Sequence, residues 1–233
     1  MPQTALFSEQ DERVIDLATW PRQSQYAMFK DFGSPHFSIT TRVDVTEIMK
    51  AKQSRDVSPF TAMLFCIMQA FNAVPELRTR FRNTDGQLSI IEHNKVHSSI
   101  TVPIEDDRFA FCEIPYSADW QAFNKNCQSV ITAGKEQKEL DDKTIGTDYW
   151  IFMSCLPWLD FTDMQHPLKG PDDCVPRLAW GKFVPRITQS DGAPSDQENW
   201  DVAVNLTAHH ALVDGVHMAH FFQKLEENCR NFP

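Results

Sequence analysis

Two hydrophobic patterns near the C-terminal end of the chain predict a strand followed by a helix. Val202, Val204 and Leu206 alternate with polar residues between Asp201 and Thr207, which is the period of two that a half-buried strand shows. Four apolar residues then recur at the helical spacing i, i+3, i+4 and i+7, namely Met218, Phe221, Phe222 and Leu225. The segment between them, from His209 to Gly215, is predicted to be a tight turn at the end of the strand.

Similar patterns predict helices and strands in the rest of the chain. Ser58 and Pro59 suit the N-cap and first position of a helix over 60–74, which is apolar almost all round and is expected to stop at Pro75. Other helices are predicted to run from Pro21 through Phe29, from a Thr46 cap to Lys52, and over 120–140. Strands are predicted over 36–45, 88–91, 96–103, 109–114, 150–156 and 178–187. A long irregular segment beyond Trp158, marked by Pro167, Gly170 and Pro171, and a polar turn over 190–199 complete the prediction. One mixed α/β (α+β) domain over residues 1–233 is the economical interpretation.

Composition narrows the function classes. The net charge of −10 argues against a general nucleic-acid or membrane-surface partner, because both need a basic footprint. No apolar run approaches the ~20 residues of a membrane span, and the stretch up to Asp16 lacks the apolar core of a signal peptide. The six cysteines form no C-x-x-C pair, which favours free thiols in a cytoplasmic protein over disulfides or a zinc site. We therefore expect no metal.

His210 is the candidate with the clearest chemistry. A histidine at the end of a strand, held by a rigid sheet behind it, is well placed to act as a general base. The alternative is that His209 and His210 are polar residues at a strand edge with no chemical role. A His-x-x-x-Asp spacing also arises by chance, so the interpretation depends on the surrounding sequence.

The surrounding sequence resembles the chloramphenicol acetyltransferase family. The family signature His-His-Ala-x-x-Asp-Gly-x-His is matched in full by residues 209–217. Further motifs follow the family order: Trp20-Pro21-Arg22, the Ser58-Pro59 helix, Phe109 through Pro115-Tyr116-Ser117, Ser154-Cys155-Leu156-Pro157-Trp158, and the segment with Lys182. The resemblance covers most of the chain from Leu17 to Cys229.

The resemblance implies a fold and a reaction. The fold is a two-layer sandwich in which helices cover a large mixed sheet, as in CoA-dependent acyltransferases. The reaction is transfer of an acetyl group from acetyl-CoA, a co-substrate and not a bound cofactor, to a hydroxyl of chloramphenicol. His210 is implied to be the base and Ser154 the donor to the tetrahedral oxyanion; otherwise Ser154 is a strand-end serine bonded to nearby backbone. Asp214 is expected to point away from His210 and to pair with Arg22 as a scaffold.

The resemblance also implies partners. The family is a homotrimer whose active sites lie between subunits. Lys182 and Trp158 are the candidates for contacts with CoA, although a solvated lysine explains Lys182 equally well.

This sequence departs from the family where the acceptor binds. The candidate acceptor residues are Phe29, Phe109, Phe111 and Phe152. At the matching positions the family commonly has a tyrosine instead of Phe29, an asparagine instead of Phe152 and a small residue instead of Phe111. An aromatic pocket suits a flat, weakly polar acceptor, but these changes put tight chloramphenicol binding in doubt.

Three alternatives compete with this interpretation. One is an acetyltransferase of the same fold that acts on another hydroxyl or an amine. The second is a non-catalytic ligand-binding module, against which the intact motifs argue. The third comprises two related families. Against the acyltransferase core of 2-oxoacid dehydrogenase complexes, this sequence shows neither the lipoyl domain nor the Pro/Ala-rich linker that normally accompany it. Against peptide-synthetase condensation domains, those domains are about twice as long.

Overall fold

The computed structural model describes residues 12–186, 189–190, 193–194 and 199–233, the second and third of these segments as backbone only. Within these described segments, five helices and twelve strands follow in this order: β1 (Glu12–Ile15), α1 (Gln23–Phe29), β2 (His36–Asp44), α2 (Thr46–Arg55), α3 (Pro59–Ala73), β3 (Thr79–Thr84), β4 (Gln87–His93), β5 (His97–Pro103), β6 (Phe109–Ile114), α4 (Trp120–Lys135), β7 (Trp150–Cys155), β8 (Arg177–Trp180), β9 (Val184–Arg186), β10 (Gln189–Ser190), β11 (Ala193–Pro194), β12 (Asn199–His209) and α5 (Gly215–Arg230). A short 3₁₀ turn, Pro75–Arg78, follows α3.

The main sheet has seven strands. Six of them follow the order β2-β12-β8-β7-β5-β6, and the seventh, β9, pairs with β12. Strand β7 pairs in parallel with β5 and β8, and the other pairs are antiparallel. Strand β12 pairs with β2 from Asp201 to His209, so the end of β12 is held beside His36. The sheet is therefore mixed, as predicted.

One face of this sheet carries the core. Val202, Val204 and Leu206 are fully buried there, as the alternating pattern predicts, and they belong to a cluster with α3 and α5. Helix α3 begins as expected, because the Ser58 side chain accepts the Thr61 N–H at 3.4 Å and Pro59 occupies the first position. Helices therefore pack on this face of the large mixed sheet, which is the arrangement that the resemblance implies.

The opposite face of the sheet is polar and is covered by the irregular segment 156–176. Cross-strand partners on this face include Ser99, Phe152 and Arg177 in one row and Thr101 and Ser154 in the next. Further along the second row lies Asn205, which donates to the Met164 carbonyl oxygen at 3.2 Å. The segment predicted to be irregular therefore lies over this face of the sheet and leaves a cavity beside the polar rows.

Several element boundaries differ from the predictions. Thr46 is the first helical residue of α2 and not its cap: its N–H donates to the Asp44 carboxylate at 2.9 Å, and its hydroxyl oxygen accepts the Trp200 N–H at 2.9 Å. Pro21 lies in a turn before α1, and α4 ends at Lys135 instead of near 140. The strand predicted over 178–187 is interrupted at 181–183. Strands β1 and β3, which flank β4 in a separate three-stranded sheet, were not predicted.

Some predictions lie wholly or partly outside the described residues. These are the absence of a signal peptide over 1–11, the end of the 178–187 strand at Ile187, and most of the polar turn over 190–199. Across the described chain, no helix combines the length and the apolar character that crossing a membrane requires.

Gly181 directly follows the end of β8, where the chain passes close to the Leu159 backbone. A Cβ atom placed there would lie 2.5 Å from the Leu159 carbonyl oxygen, and the neighbouring Lys182 N–H donates to that oxygen at 2.8 Å. We predict that Gly181→Ala destabilises the protein by about 1–3 kcal/mol, because the backbone must shift to admit the methyl group. Thermal unfolding beside Gly33→Ala, whose Cβ meets nothing within 4 Å, checks this. Equal melting temperatures for the two variants would contradict it.

Candidate active site

His210 lies directly after the end of β12, at the start of the turn that leads into α5. Its N–H donates to the Pro35 carbonyl oxygen at 2.9 Å, which ties the turn to the chain before β2. The turn closes on itself because the N–H groups of Leu212 and Val213 both donate to the His209 carbonyl oxygen, at 3.0 and 3.1 Å. The predicted position of the candidate base, at a strand end backed by a sheet, is therefore the observed one.

Two phenylalanines hold the His210 ring. Phe29 stacks on it with ring centroids 4.1 Å apart and an interplanar angle of 6°, and Phe37 lies against it at 4.5 Å and 33°. Phe29 was expected in the acceptor pocket, and the structure places it in direct contact with the candidate base. An imidazole packed against two aromatic rings in this way has little rotational freedom.

Arg22 and Asp214 meet beside the same imidazole. Arg22 Nη1 lies 2.5 Å from Asp214 Oδ2, and Arg22 Nη2 donates to the His210 carbonyl oxygen at 3.3 Å. Asp214 Oδ1 lies 3.2 Å from His210 Nδ1, so the carboxylate does not point away from the histidine as expected. The Nδ1 atom is buried and makes no well-aligned hydrogen bond within the described part of the chain. Arg22 holds the pKa of the Asp214 carboxyl below its ordinary value, although partial burial opposes this.

His209, the other histidine of the pair, has a structural role. Its Nδ1 accepts the Ala211 N–H at 3.1 Å and its Nε2 donates to the Pro171 carbonyl oxygen at 2.9 Å, an arrangement that requires the neutral ring. Burial lowers the pKa of His209 to about 4. In contrast, about a third of the His210 side chain, 34%, remains exposed. The accessible histidine is therefore His210.

Ser154 lies on β7 beside a second feature of the polar sheet face, a cavity of about 350 Å³. Its hydroxyl is 3.4 Å from that of Thr101 on the neighbouring strand. Phe111 and Phe152, two predicted acceptor residues, also line this cavity. Phe109 packs edge-on against Phe111 at 5.4 Å and is 45% exposed. The structure thus groups three of the four predicted acceptor phenylalanines with Ser154.

The strand register keeps Ser154 away from His210 of the same chain. Ser154 is level with Ala179 on β8, which is level with Asn205 on β12, and His210 lies five residues further along. At about 3.3 Å per residue and about 4.8 Å between strands, the two residues are about 19 Å apart. Atoms that act on one reacting carbon must all lie within hydrogen-bond reach of it. One chain alone therefore does not bring the candidate base and oxyanion donor together.

The candidate CoA contacts lie together on the surface. Trp158 is 69% exposed, and Lys182 is also exposed. The two are joined through Leu159, whose carbonyl oxygen accepts the Lys182 N–H at 2.8 Å. No group of three or more potential metal ligands is found among the described residues.

Sequence reasoning missed the charged and polar lining of the Ser154 cavity. His166, Lys169 and Arg177 line it, and the Arg177 guanidinium lies 5.3 Å from the centre of the Phe152 ring. His166 Nε2 contacts Asn205 Oδ1 at 3.1 Å, and burial lowers the pKa of His166 to about 4. Two of these residues belong to the segment predicted to be irregular, where no periodic pattern marks a functional side chain.

Comparison with known proteins identifies the fold class first. A solved chloramphenicol acetyltransferase is similar over 93% of this chain and 98% of its own, with a TM-score of 0.80 at 24% identity. A probable dihydrolipoamide acetyltransferase from Listeria monocytogenes is similar over 93% of this chain and 92% of its own, with a TM-score of 0.65 at 16% identity. The fold is that of the CoA-dependent acyltransferases, as predicted.

Sequence comparison gives the family. A family model described as chloramphenicol acetyltransferase matches residues 11–226. Chloramphenicol acetyltransferase 3 of Escherichia coli and chloramphenicol acetyltransferase 2 of Haemophilus influenzae are each 25% identical over 218 residues, which is 93% of this chain and 96% of theirs. The chain belongs to the chloramphenicol acetyltransferase family. The predictions of the family and of an acyltransferase enzyme are confirmed.

The Arg22–Asp214 pair generates a pH-dependent prediction. Because the folded protein lowers the Asp214 pKa, the pair stabilises the fold above the unfolded-state pKa of about 3.9 and loses this contribution as the pH falls through the lower, folded-state value. We expect Asp214→Asn to cost about 1–3 kcal/mol at neutral pH, below the cost for a fully buried pair, because 32% of the Asp214 side chain is exposed. The difference in melting temperature from the native protein should shrink progressively as the pH falls from about 3.9 through the lower, folded-state pKa.

Glu47→Gln on α2 is the matched control, because Glu47 is an exposed carboxylate paired with Lys50 at 2.7 Å. It should change the melting temperature little at any pH. An Asp214→Asn effect that is equally large at pH 7 and pH 3 would show that the charge is not what stabilises the turn.

Proposed function

We propose that this protein transfers the acetyl group of acetyl-CoA to a hydroxyl of chloramphenicol. The observation that carries the proposal is the environment of His210: a partly exposed imidazole at a strand end, packed against Phe29 and Phe37 and backed by Asp214. The family relatives named above are chloramphenicol acetyltransferases, which supports both donor and acceptor. The free thiols of the chain suit the cytoplasm, where we propose that it works.

The geometry favours one nitrogen of His210 as the base. Nδ1 is buried beside Asp214, which leaves Nε2 as the nitrogen that an acceptor can reach. Nε2 takes the hydroxyl proton as the acceptor oxygen attacks the thioester carbonyl carbon. The tetrahedral intermediate then collapses, the carbon–sulfur bond breaks, and the proton on His210 passes to the CoA thiolate. Asp214 is placed to hold the ring and to face the positive charge that it gains.

Ser154 is proposed to donate its hydroxyl hydrogen to the oxyanion of this intermediate. Since His210 and Ser154 of one chain lie about 19 Å apart by strand geometry, Ser154 must come from another copy. A three-fold ring provides three equivalent interfaces of this kind. We therefore propose a homotrimer with its active sites between subunits, and a mass in solution close to three times the 26.8 kDa of one chain.

The proposed site has two walls. Phe29 lines the wall that carries the base, and Phe109, Phe111 and Phe152 line the wall that carries Ser154. Exposed Trp158 and Lys182 are proposed to contact CoA. Aromatic side chains on both walls suit an acceptor with a flat ring.

A second candidate acceptor is another hydroxyl or amine compound. The observation that favours it is the polar lining of the Ser154 cavity, to which His166, Lys169 and Arg177 contribute. Buried polar groups reject ligands that leave them unpaired, so this lining favours an acceptor with more polar substituents than chloramphenicol.

Release of CoA thiol tests the reaction. Purified protein with acetyl-CoA and chloramphenicol should release thiol in an acceptor-dependent way, and His210→Ala should slow this about 10²–10⁴-fold. His220→Ala is the matched control, because His220 is an exposed histidine on α5. Release with other alcohols or amines, but not with chloramphenicol, would show that the acetyl acceptor is a different compound. No release with any acceptor would favour a binding module.

Ser154→Ala tests the oxyanion donor. We expect kcat to fall about 10²–10³-fold with little change in KM, because the hydrogen bond forms only with the tetrahedral intermediate. Ser54→Ala on α2, an exposed serine, is the control. A fall confined to KM would assign Ser154 to ground-state binding instead.

A further inference from the structure

His217 occupies the third position of α5 and contacts the backbone of Asp214. Its Nδ1 accepts the Asp214 N–H at 2.9 Å, and this is the hydrogen bond found for that N–H among the described residues. The side chain is mostly buried, 14% exposed. Neither the general-base role of His210 nor the Arg22–Asp214 pair accounts for a histidine here.

The contact requires one tautomer of a neutral His217. Because Nδ1 accepts a hydrogen bond, its proton must be on Nε2. The Nε2 atom faces Glu76 Oε1 at 3.6 Å, on the short turn after α3. Glu76 therefore favours a proton on Nε2, as a carboxylate does when it orients a ring from its far side. Burial lowers the pKa of His217, and although Glu76 opposes this, the net shift keeps the ring neutral at neutral pH.

The Asp214 backbone in turn sets the position of the Asp214 carboxylate. That carboxylate has one oxygen 2.5 Å from Arg22 Nη1 and the other 3.2 Å from His210 Nδ1. The residue is in an extended conformation immediately before α5, with φ −116° and ψ 172°. A rotation there would move the carboxylate away from both partners, so the bond from His217 constrains the group that backs the candidate base.

We propose that His217 is a positioning residue for catalysis: held in its Nε2–H tautomer by Glu76, it fixes the Asp214 backbone so that the carboxylate stays against His210. This inference rests on the proposed role of His210 as the base. His217 is not among the described residues that line the Ser154 cavity. Its effect is therefore expected on turnover and not on substrate binding.

Two substitutions separate the hydrogen bond from the ring. His217→Leu removes the hydrogen-bond acceptor of the Asp214 N–H. We expect kcat to fall about tenfold, with KM for both substrates nearly unchanged. In His217→Asn the Oδ1 atom stands at the position of Nδ1 and accepts the same N–H, so kcat should return to within about threefold of the native value.

Asp119→Ala is the matched control for simple loss of a helix cap. Asp119 caps α4 and accepts the Ala122 N–H at 2.8 Å, on an exposed surface away from His210. Its removal should lower the melting temperature about as much as His217→Leu does, without changing kcat. If His217→Leu lowers only the melting temperature, or if His217→Asn is as slow as His217→Leu, the positioning role is wrong.

Nitrogen-15 spectra of histidine-labelled protein give a readout that needs neither an acetyl acceptor nor turnover. The His217 signals, identified by their loss in His217→Asn, should show the Nε2–H tautomer at neutral pH, and Glu76→Leu should admit the other tautomer. A native Nδ1–H tautomer would overturn the proposal. Failure of the proposed function is distinct: the native protein would then release no CoA thiol, or His210→Ala would release it at the native rate, whatever the His217 spectra show.

Discussion

The pairing register of β12 is the constraint on which the rest of the site depends. Its bonds to β2 on one side and to β8 on the other leave no freedom to slide, because a one-residue slip would turn Val204 and Leu206 out of the core. The same register sets His210 at the end of the strand and Ser154 about 19 Å away by strand geometry. The apolar face thus stabilises the fold, and the polar face fixes a distance that one chain cannot close.

Local contacts then make His210 different from the histidine beside it. His209 satisfies both ring nitrogens with backbone groups and has a pKa lowered by burial, so it remains neutral. His210 has a carboxylate at one edge, an aromatic ring on its face and an exposed remainder. A rigid, partly exposed imidazole beside a negative charge has the properties of a general base. Adjacent residues of the same type therefore differ in accessibility because their surroundings differ.

The sequence predicted much of the local structure around this candidate site, because alternation and capping are local. The buried face of β12, the Ser58 cap and the strand-end position of His210 could all be inferred from neighbouring residues. What could not be inferred depends on distant pairing. The position of the Asp214 carboxylate is decided by Arg22, almost two hundred residues earlier in the chain. The polar cavity beside Ser154 is closed by a segment without periodicity, so nothing local marks it.

The central claim is that base and oxyanion donor come from different subunits, and subunit mixing tests it most directly. His210→Ala and Ser154→Ala chains would be purified separately, unfolded together and refolded at equal amounts. If the account is correct, two nearly inactive preparations regain activity, because about a quarter of the sites in randomly mixed rings pair an intact His210 with an intact Ser154. If both groups act within one chain, every site lacks one of them and the mixture stays as inactive as its parts.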